Sequence, residues 1–179
     1  LIVITLLCAA FFLESRRVKL TTVFASAAVA VLIELSPERL IMEWSKNSHL
    51  PSTYPKKIIE GRQGIIQIYA SDDPEHDIVY GANVYDGKTN TDLLKNTNGI
   101  DRAYLLAASN IDAKKVLVIG LSTGSWVKVL SSLPNLESMT VIEINPDYVK
   151  LVSMYPEVSS ILEDKRIHIY SADGRKWLN

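Results

Sequence analysis

Apolar residues dominate the start of the chain, where they form two runs separated by a basic segment. The first run covers residues 1–13 and the second covers residues 20–35. Each is shorter than the roughly 20 residues that cross a hydrocarbon core, but the chain opens inside the first run and the second can extend further. We therefore predict a hydrophobic helical hairpin over residues 1–44 that lies in a membrane. A pair of core helices in a soluble protein is the alternative.

The basic residues around these runs disagree about the orientation in the membrane. Arg16, Arg17 and Lys19 would keep the intervening turn in the cytoplasm. Arg39 and Lys46, which follow the second run, favour the opposite orientation. We expect the protein at the cell membrane and take the cytoplasm as the working location of its soluble part.

Residues 45–56 have the polar, proline-bearing composition of a linker, which places a domain boundary near residue 50. Two β-branched and aromatic runs follow, at 64–69 and 77–85, and a turn-forming cluster separates them. Asp86-Gly87 closes the second run, at a place where a hairpin turn would require a positive φ angle. These signals predict a small β-hairpin domain over residues 57–110 that ends in a helix at about 99–109.

From Lys115 onward the pattern changes to strands that alternate with helices. The predicted strands are 116–119, 139–142 and 166–170, and the predicted helices are 124–132 and 146–154. Continuous apolar strands with helices between them indicate a parallel sheet that is buried on both faces. We therefore predict an α/β fold in which residues 111–179 form the first half of a Rossmann-type domain.

The sequence stops at a strand-to-helix junction, so we expect the chain to be a truncated fragment with an incomplete sheet. The third strand should then keep an exposed edge. Four core residues should be only partly protected: Val116, Val118, Val141 and Ile167. We expect residues 1–179, made alone, to aggregate or to require detergent.

Composition and charge exclude several classes of function. The net charge is −1, with 19 Lys and Arg against 20 Asp and Glu spread along most of the sequence, so no basic stripe is present for nucleic acid. The single cysteine, Cys8, excludes a disulfide framework and a cysteine-based metal site. His49, His76 and His168 share no metal-ligand spacing, so we expect no metal.

The turn after the first parallel strand begins and ends with glycine, at Gly120 and Gly124, and contains Leu121, Ser122 and Thr123. Glycine allows the backbone to turn tightly and to approach a ligand, and the following helix presents its free N–H groups there. On its own, this spacing also fits a strand-to-helix turn that binds nothing.

Two acidic positions strengthen the case for a ligand. Glu143 ends the second strand, about 20 residues beyond the glycine turn, where a carboxylate can accept hydrogen bonds from both hydroxyls of a ribose. Asp173 and Gly174 close the third strand, where the aspartate can reach an adenine amino group and the glycine leaves room for the ring. Such sheets bind ligands at the carboxyl ends of their strands. The predicted nucleoside site comprises Gly120, Leu121, Ser122, Thr123, Gly124, Glu143, Ile144, Asp173 and Gly174.

Residues 115–178 resemble the adenosylmethionine-type Rossmann fold. The chain from about residue 60 onward resembles the spermidine synthase family, the polyamine aminopropyltransferases. Glu143 matches the ribose-binding glutamate of that family, and Asp173 with Gly174 matches its adenine-binding pair.

The resemblance extends to the predicted β-domain. Residues 85–87, Tyr-Asp-Gly, are similar to the LDG turn of the family. Asn90 stands where the family has a glutamine, and Tyr104 stands where it has a tyrosine before a His-Glu pair. The resemblance therefore implies that Asn90 and Tyr104 bind substrate.

The family resemblance implies a transferase that moves an aminopropyl group from decarboxylated S-adenosylmethionine to an amine. The resemblance also leaves S-adenosylmethionine itself open as the co-substrate. It implies a polyamine as the second small molecule, and it leaves a homodimer open as the assembly. Two departures concern the groups that would hold cationic amines: the His-Glu pair is Leu105-Leu106, and the aspartate of the GGGDG loop is Thr123. The catalytic aspartate of the family follows a fourth strand that is absent from the sequence, so no catalytic residue is named.

Two other functions stay open at this point. A methyltransferase is favoured by the missing acid at Thr123. A non-catalytic module, in which the nucleotide fold docks a membrane region to a soluble partner, is favoured by the loss of polarity at Leu105 and Leu106.

Overall fold

The computed structural model describes residues 16–178 except positions 36, 48, 51, 74 and 75. The chain divides into two compact units at the junction between Lys46 and Asn47.

The first unit contains helix α1, Arg16–Leu35, and helix α2, Pro37–Trp44. Among the helices of the described residues, none is long and apolar enough to cross a membrane. In the sequence of α1, charged residues at positions 19 and 34 bound the apolar run, which is therefore shorter than the roughly 20 residues a span requires. The predicted transmembrane hairpin is thus not found here, and its first run, 1–13, lies outside the described residues.

The second unit begins with four antiparallel strands, which confirm the predicted β-hairpin domain. They form one sheet in the order β1-β2-β3-β4. The strands are β1, Lys57–Gly61; β2, Gly64–Ala70; β3, Asp77–Gly81; and β4, Val84–Lys88.

One detail of this sheet differs from the sequence-based prediction. The run 77–85 is not one strand, because Ala82 and Asn83, with φ angles of 49° and 65°, turn the chain between β3 and β4. Two successive positive φ angles are typical of a tight hairpin turn. Asp86-Gly87 lies inside β4 instead of closing the hairpin, although Gly87 does have the expected positive φ, 144°.

Helix α3, Ile100–Ser109, connects the antiparallel sheet to a second, parallel sheet of three strands in the order β5-β6-β7. The predicted strands and helices of this part are confirmed to within a few residues. They are β5, Lys115–Ile119; α4, Ser125–Leu130; β6, Ser138–Glu143; α5, Asp147–Ser153; α6, Pro156–Ser159; a 3₁₀ turn, Ser160–Leu162; β7, Ile167–Ser171; and α7, Gly174–Trp177.

In the described residues, one face of the parallel sheet is covered and the other is open along β5, although Ile142 of β6 on this second face is buried. Val141 and Ile167 belong to the covered face and are 0% and 9% exposed, so the prediction that they are only partly protected is wrong. Val116 and Val118 share that face and are partly buried, as predicted. Because alternate residues of a strand point to opposite faces, the open face carries the other side chains of β5, with Leu117 47% exposed and Ile119 53% exposed.

Both sheets of the second unit contribute to one hydrophobic core. Ile66, Ile68 and Val79 of the antiparallel sheet are buried together with residues of the α/β part, such as Leu151 and Val152. Within the described ranges, β5 and β7 each pair only with β6, so two strands, and not the third alone, keep a free edge.

Candidate functional site

The glycine turn connects β5 to α4 through residues with left-handed backbone angles. Gly120 has φ 94°, Ser122 has φ 49° and Gly124 has φ 79°. A Cβ atom at Gly120 would meet no atom within 4 Å, so the missing side chain leaves open space beside the backbone. A Cβ atom at Gly124 would lie 3.0 Å from Val152, so this glycine serves packing. Gly120 is therefore the position where a ligand can approach the main chain.

Glu143 is buried at the end of β6 and holds the loops on both sides of it. The backbone N–H of Leu121 donates to its Oε2 at 2.7 Å, and the backbone N–H of Asn145 donates to its Oε1 at 2.8 Å. A carboxylate oxygen has two lone pairs. Each oxygen of Glu143 therefore keeps one acceptor position for a further donor.

A cavity of about 300 Å³ lies at the carboxyl ends of β5, β6 and β7, and we call it the strand-end cavity. Five of the predicted nucleoside-binding residues line it: Gly120, Glu143, Ile144, Asp173 and Gly174. Its other lining residues are Ile119, Ile142, Ala172 and Arg175. The structure thus brings the ends of the three strands together at one place, as the sequence predicted.

Asp173 also caps helix α7. Its Oδ1 accepts a hydrogen bond from the backbone N–H of Arg175 at 3.0 Å, and the guanidinium of Arg175 lies 3.0 Å from its Oδ2. The hydrogen bonds from Arg175 hold the pKa of Asp173 below its usual value. At Gly174, a Cβ atom would lie 2.6 Å from Cγ2 of Ile119, so glycine allows this turn to pack on the cavity wall. That Asp173 binds the amino group of an adenine stays a prediction.

A second cavity, of about 340 Å³, lies on the other side of the glycine turn, and we call it the β4-side cavity. It shares Ile119 and Gly120 with the strand-end cavity. The remaining predicted turn residues, Leu121, Ser122 and Thr123, line this second cavity. Its other lining residues are Tyr85, Asp86, Asn98, Val118, Ser125 and Trp126.

Asp86 lines the β4-side cavity and also lies close enough to the buried Glu143 for their charges to interact. Its carboxylate accepts a hydrogen bond from the hydroxyl of Tyr148, and its main-chain oxygen accepts one from Oγ of Ser122 at 2.7 Å. Burial raises the pKa of Asp86, and the nearby charge of Glu143 raises it further against the effect of the Tyr148 hydrogen bond. Burial and the bond to Asp86 likewise raise the pKa of Tyr148.

Two predicted substrate-binding residues lie away from both cavities. Asn90 lines a separate cavity of about 500 Å³ beside β3 and β4, and its Oδ1 accepts a hydrogen bond from the N–H of Asp92 at 3.1 Å. The hydroxyl of Tyr104 donates to the main-chain oxygen of Thr91 at 2.9 Å. The structure therefore gives Asn90 and Tyr104 local hydrogen-bonding roles.

Sequence reasoning missed the acid and the aromatic residues of the β4-side cavity. The sequence pattern predicts Tyr85 and Asp86 only as parts of a turn and gives no role to Trp126. The one available signal was the Tyr-Asp-Gly sequence at 85–87, whose position beside the glycine turn becomes visible only in the fold.

A parallel sheet with a glycine turn, a buried strand-end glutamate and a cavity at the strand ends has the architecture of a Rossmann-type, methyltransferase-like fold. No family model matches the chain. Two relatives are polyamine aminopropyltransferases. The one from Alkaliphilus oremlandii is 39% identical over 72 residues, which are 40% of this chain and 25% of the relative. The one from Clostridioides difficile is 40% identical over 68 residues, 37% of this chain and 24% of the relative.

Two solved structures share the fold. The spermidine synthase from Thermotoga maritima superimposes with a TM-score of 0.58 and 16% identity. A spermidine synthase in complex with the transition-state analogue AdoDATO superimposes with a TM-score of 0.57 and 16% identity. Each match covers 72% of this chain and 43% of the solved chain. The α/β fold and the resemblance to the spermidine synthases are therefore confirmed. The chain matches about a quarter of the length of the curated relatives.

Proposed function

We propose that the protein carrying this chain is a spermidine synthase-like transferase. It binds an adenosyl sulfonium nucleoside in the strand-end cavity and transfers the aminopropyl group of that nucleoside to an amine. The observation that carries the proposal is the buried Glu143, whose two oxygens each keep an acceptor position beside the open backbone at Gly120. The names of the relatives, polyamine aminopropyltransferase, and of the solved structures support it.

The chemistry needs little covalent help from the protein. The amine nitrogen attacks the propyl carbon bound to sulfur, so a C–N bond forms and the C–S bond breaks. The electron pair of the broken bond returns to sulfur, which leaves methylthioadenosine, and the nitrogen loses a proton to a base. The sulfonium already supplies the leaving group, so catalysis consists mainly of positioning. In this proposal Glu143 fixes the ribose, and the base is not assigned to any residue of this chain.

The proposal is tested by calorimetric titration of the full-length protein with methylthioadenosine and with decarboxylated S-adenosylmethionine. We expect both to bind, and we expect Glu143→Gln to weaken both by about 10- to 100-fold, because a charged acceptor is lost where hydrogen bonds converge. Glu163→Gln, which changes an exposed glutamate after the 3₁₀ turn, is the matched control and should bind like the unmodified protein.

Two results would contradict the proposal. Failure of both nucleosides to bind the unmodified protein would remove its basis. Transfer of labelled methyl from S-adenosylmethionine to an acceptor, while putrescine gains no aminopropyl group, would replace aminopropyl transfer by methyl transfer.

A further inference from the structure

The β4-side cavity contains a carboxylate that no cation of the described chain neutralises. Asp86 is its single acidic lining residue, and no Lys, Arg or His is among the described residues that line it. Among the described residues, Asp86 also takes part in no ion pair within 4.0 Å: its side-chain partners are the neutral hydroxyls of Tyr148 and Ser122. A desolvated carboxylate without a counter-ion, on a residue that lines a cavity, is a candidate binding position for a cation.

We propose that Asp86 holds the ammonium group of the amine substrate in the β4-side cavity, between the aromatic side chains of Tyr85 and Trp126. This inference rests on the proposed function, because it concerns the second substrate group of the same reaction. It assigns the recognition of positive charge to strand β4 and not to the glycine turn.

The glycine turn itself does not offer a carboxylate. Thr123 occupies the position at which the resemblance places an acid, and its side chain is buried with Oγ1 2.9 Å from Oγ of Ser125. Ser125 in turn donates to the main-chain oxygen of Lys88 at 2.7 Å. These hydrogen bonds use the hydroxyls of Thr123 and Ser125 in the contact with β4. Asp86 is therefore the one negatively charged residue among the described residues that line the cavity.

Two aromatic side chains complete the cation site. Tyr85 and Trp126 line the same cavity as Asp86, and an aromatic face attracts a cation within about 6 Å of its centre. The ring of Tyr85 packs edge-on against Tyr80, with centroids 5.6 Å apart, and Tyr80 packs edge-on against the buried Tyr69 at 5.5 Å. This chain of rings fixes Tyr85 before any ligand binds.

The position of the two cavities fits one reaction. They share Ile119 and Gly120, so a nucleoside bound at Glu143 would lie next to the β4-side cavity. Burial and the charge of Glu143 raise the pKa of Asp86, and a bound cation would relieve both effects. The proposal therefore places the positive charge of the substrate next to a carboxylate that lacks a counter-ion.

The test compares ligands that differ in their ammonium group, using the full-length protein and its Asp86→Asn variant. Methylthioadenosine carries no ammonium group, decarboxylated S-adenosylmethionine carries the aminopropyl ammonium, and putrescine is titrated in the presence of methylthioadenosine. We expect Asp86→Asn to weaken an ammonium ligand by about 10- to 100-fold and to leave methylthioadenosine within about 3-fold. Asp72→Asn, at an exposed aspartate of the β2–β3 connection, is the matched control.

The arms separate the sources of the ammonium group. A loss confined to putrescine supports the inference, whereas a loss confined to decarboxylated S-adenosylmethionine overturns it, because Asp86 would then hold the aminopropyl end and not the amine substrate. Unchanged binding of all ligands overturns the inference, as does an equal loss for methylthioadenosine, which would show that Asp86 acts on the fold. Failure of the unmodified protein to bind methylthioadenosine would instead remove the proposed function, and this inference with it.

The melting temperature gives an independent readout of folding. Asp86→Asn removes a desolvated charge, and the amide oxygen of asparagine can still accept the hydrogen bond from Tyr148. We expect the variant to melt no lower than the unmodified protein at pH 7. A lower melting temperature together with weaker binding of every ligand would identify a structural role and overturn the inference.

Discussion

His76 lies between two carboxylates where the β2–β3 connection meets α6. Its Nε2 is 3.0 Å from Oε2 of Glu157, and its Nδ1 is 3.0 Å from Oδ2 of Asp73. The contact with Asp73 is a close charge contact without aligned hydrogen-bond geometry, whereas the contact with Glu157 is a hydrogen bond. Glu157 also accepts a hydrogen bond from the N–H of Thr91 at 2.7 Å, so this glutamate links two connections of the antiparallel sheet to the α/β part.

These charges make the contribution of His76 to stability depend on pH. Burial by itself lowers the pKa of His76, but Asp73 and Glu157 outweigh burial, so the pKa is raised above its usual value. The stabilisation is therefore fully present below the ordinary histidine pKa of about 6.5 and is lost as the pH rises through the folded-state value. We expect His76→Gln to lower the melting temperature clearly at pH 6 and much less at pH 9.

The control for this change is His168→Gln, which alters an exposed histidine on β7. It should leave the melting temperature unchanged at both pH values. An equal effect of His76→Gln at pH 6 and pH 9 would show that His76 contributes by packing alone.

Single residues also show how far the sequence could predict the site. Glu143 and Asp173 were predicted correctly to lie at one edge of the sheet, because the end of a parallel strand fixes the edge on which a residue lies. Asp86 was not predicted as a cavity residue, because its neighbours there come from segments more than 30 positions away, such as Ser122. No local pattern encodes such a contact.

Among the elements, the end of β3 and helix α5 meet at Gly81, where an added Cβ atom would require the hydroxyl end of Tyr148 to shift. A Cβ atom at Gly81 would lie inside contact distance of Oη of Tyr148, the hydroxyl that donates to Asp86. The next atoms, Cζ of Tyr148 and Oδ2 of Asp86, would both be at an ordinary contact distance of 3.6 Å. The close approach of strand and helix thus depends on the absence of one methyl group beside one hydroxyl.

This contact predicts an interaction between two substitutions. Gly81→Ala should destabilise the protein by about 1–3 kcal/mol through overpacking. In the Tyr148→Phe background, where the hydroxyl is absent, the same substitution should cost much less, and a double-mutant cycle from denaturant unfolding measures the difference. Additive effects of the two changes would show that Gly81 is needed for a reason other than Tyr148.

The elements differ in how well their sequence specified them. The strands and helices after Lys115 were predicted to within a few residues, because buried parallel strands are continuous apolar runs. The turn between β3 and β4 was missed, because Ala82 is an uncommon residue for a positive φ, whereas Asp86-Gly87 has the usual turn composition and lies within a strand.

At the scale of the whole molecule, the open face of the parallel sheet is one of the exposed apolar surfaces of the chain. Leu117 and Tyr170 are exposed on this face, whereas Val141 and Ile167 on the opposite face are buried. Contiguous exposed apolar side chains drive association. We expect a polypeptide of these residues to self-associate, as measured by light scattering after size-exclusion chromatography.

The sheet face can be separated from other apolar surface by two matched variants. Leu117→Asn should reduce the self-association, whereas Leu94→Asn, at a leucine that is 90% exposed on a connection outside the sheet, should leave it unchanged. A monodisperse monomer without either substitution, or an equal effect of both, would show that the open face does not drive association. The sequence of β5 alone could not predict which of its side chains lie on the open face, because all of its residues from Val116 to Ile119 are apolar.

The two cavities on either side of Gly120 are built from different parts of the chain. The strand-end cavity takes its walls from the parallel sheet and the turns at its strand ends, whereas the β4-side cavity takes Tyr85 and Asp86 from the antiparallel sheet. Substitutions in the hairpins can therefore alter one cavity and leave the other intact. Such a division allows the lining of one cavity to change in evolution while the lining of the other is kept.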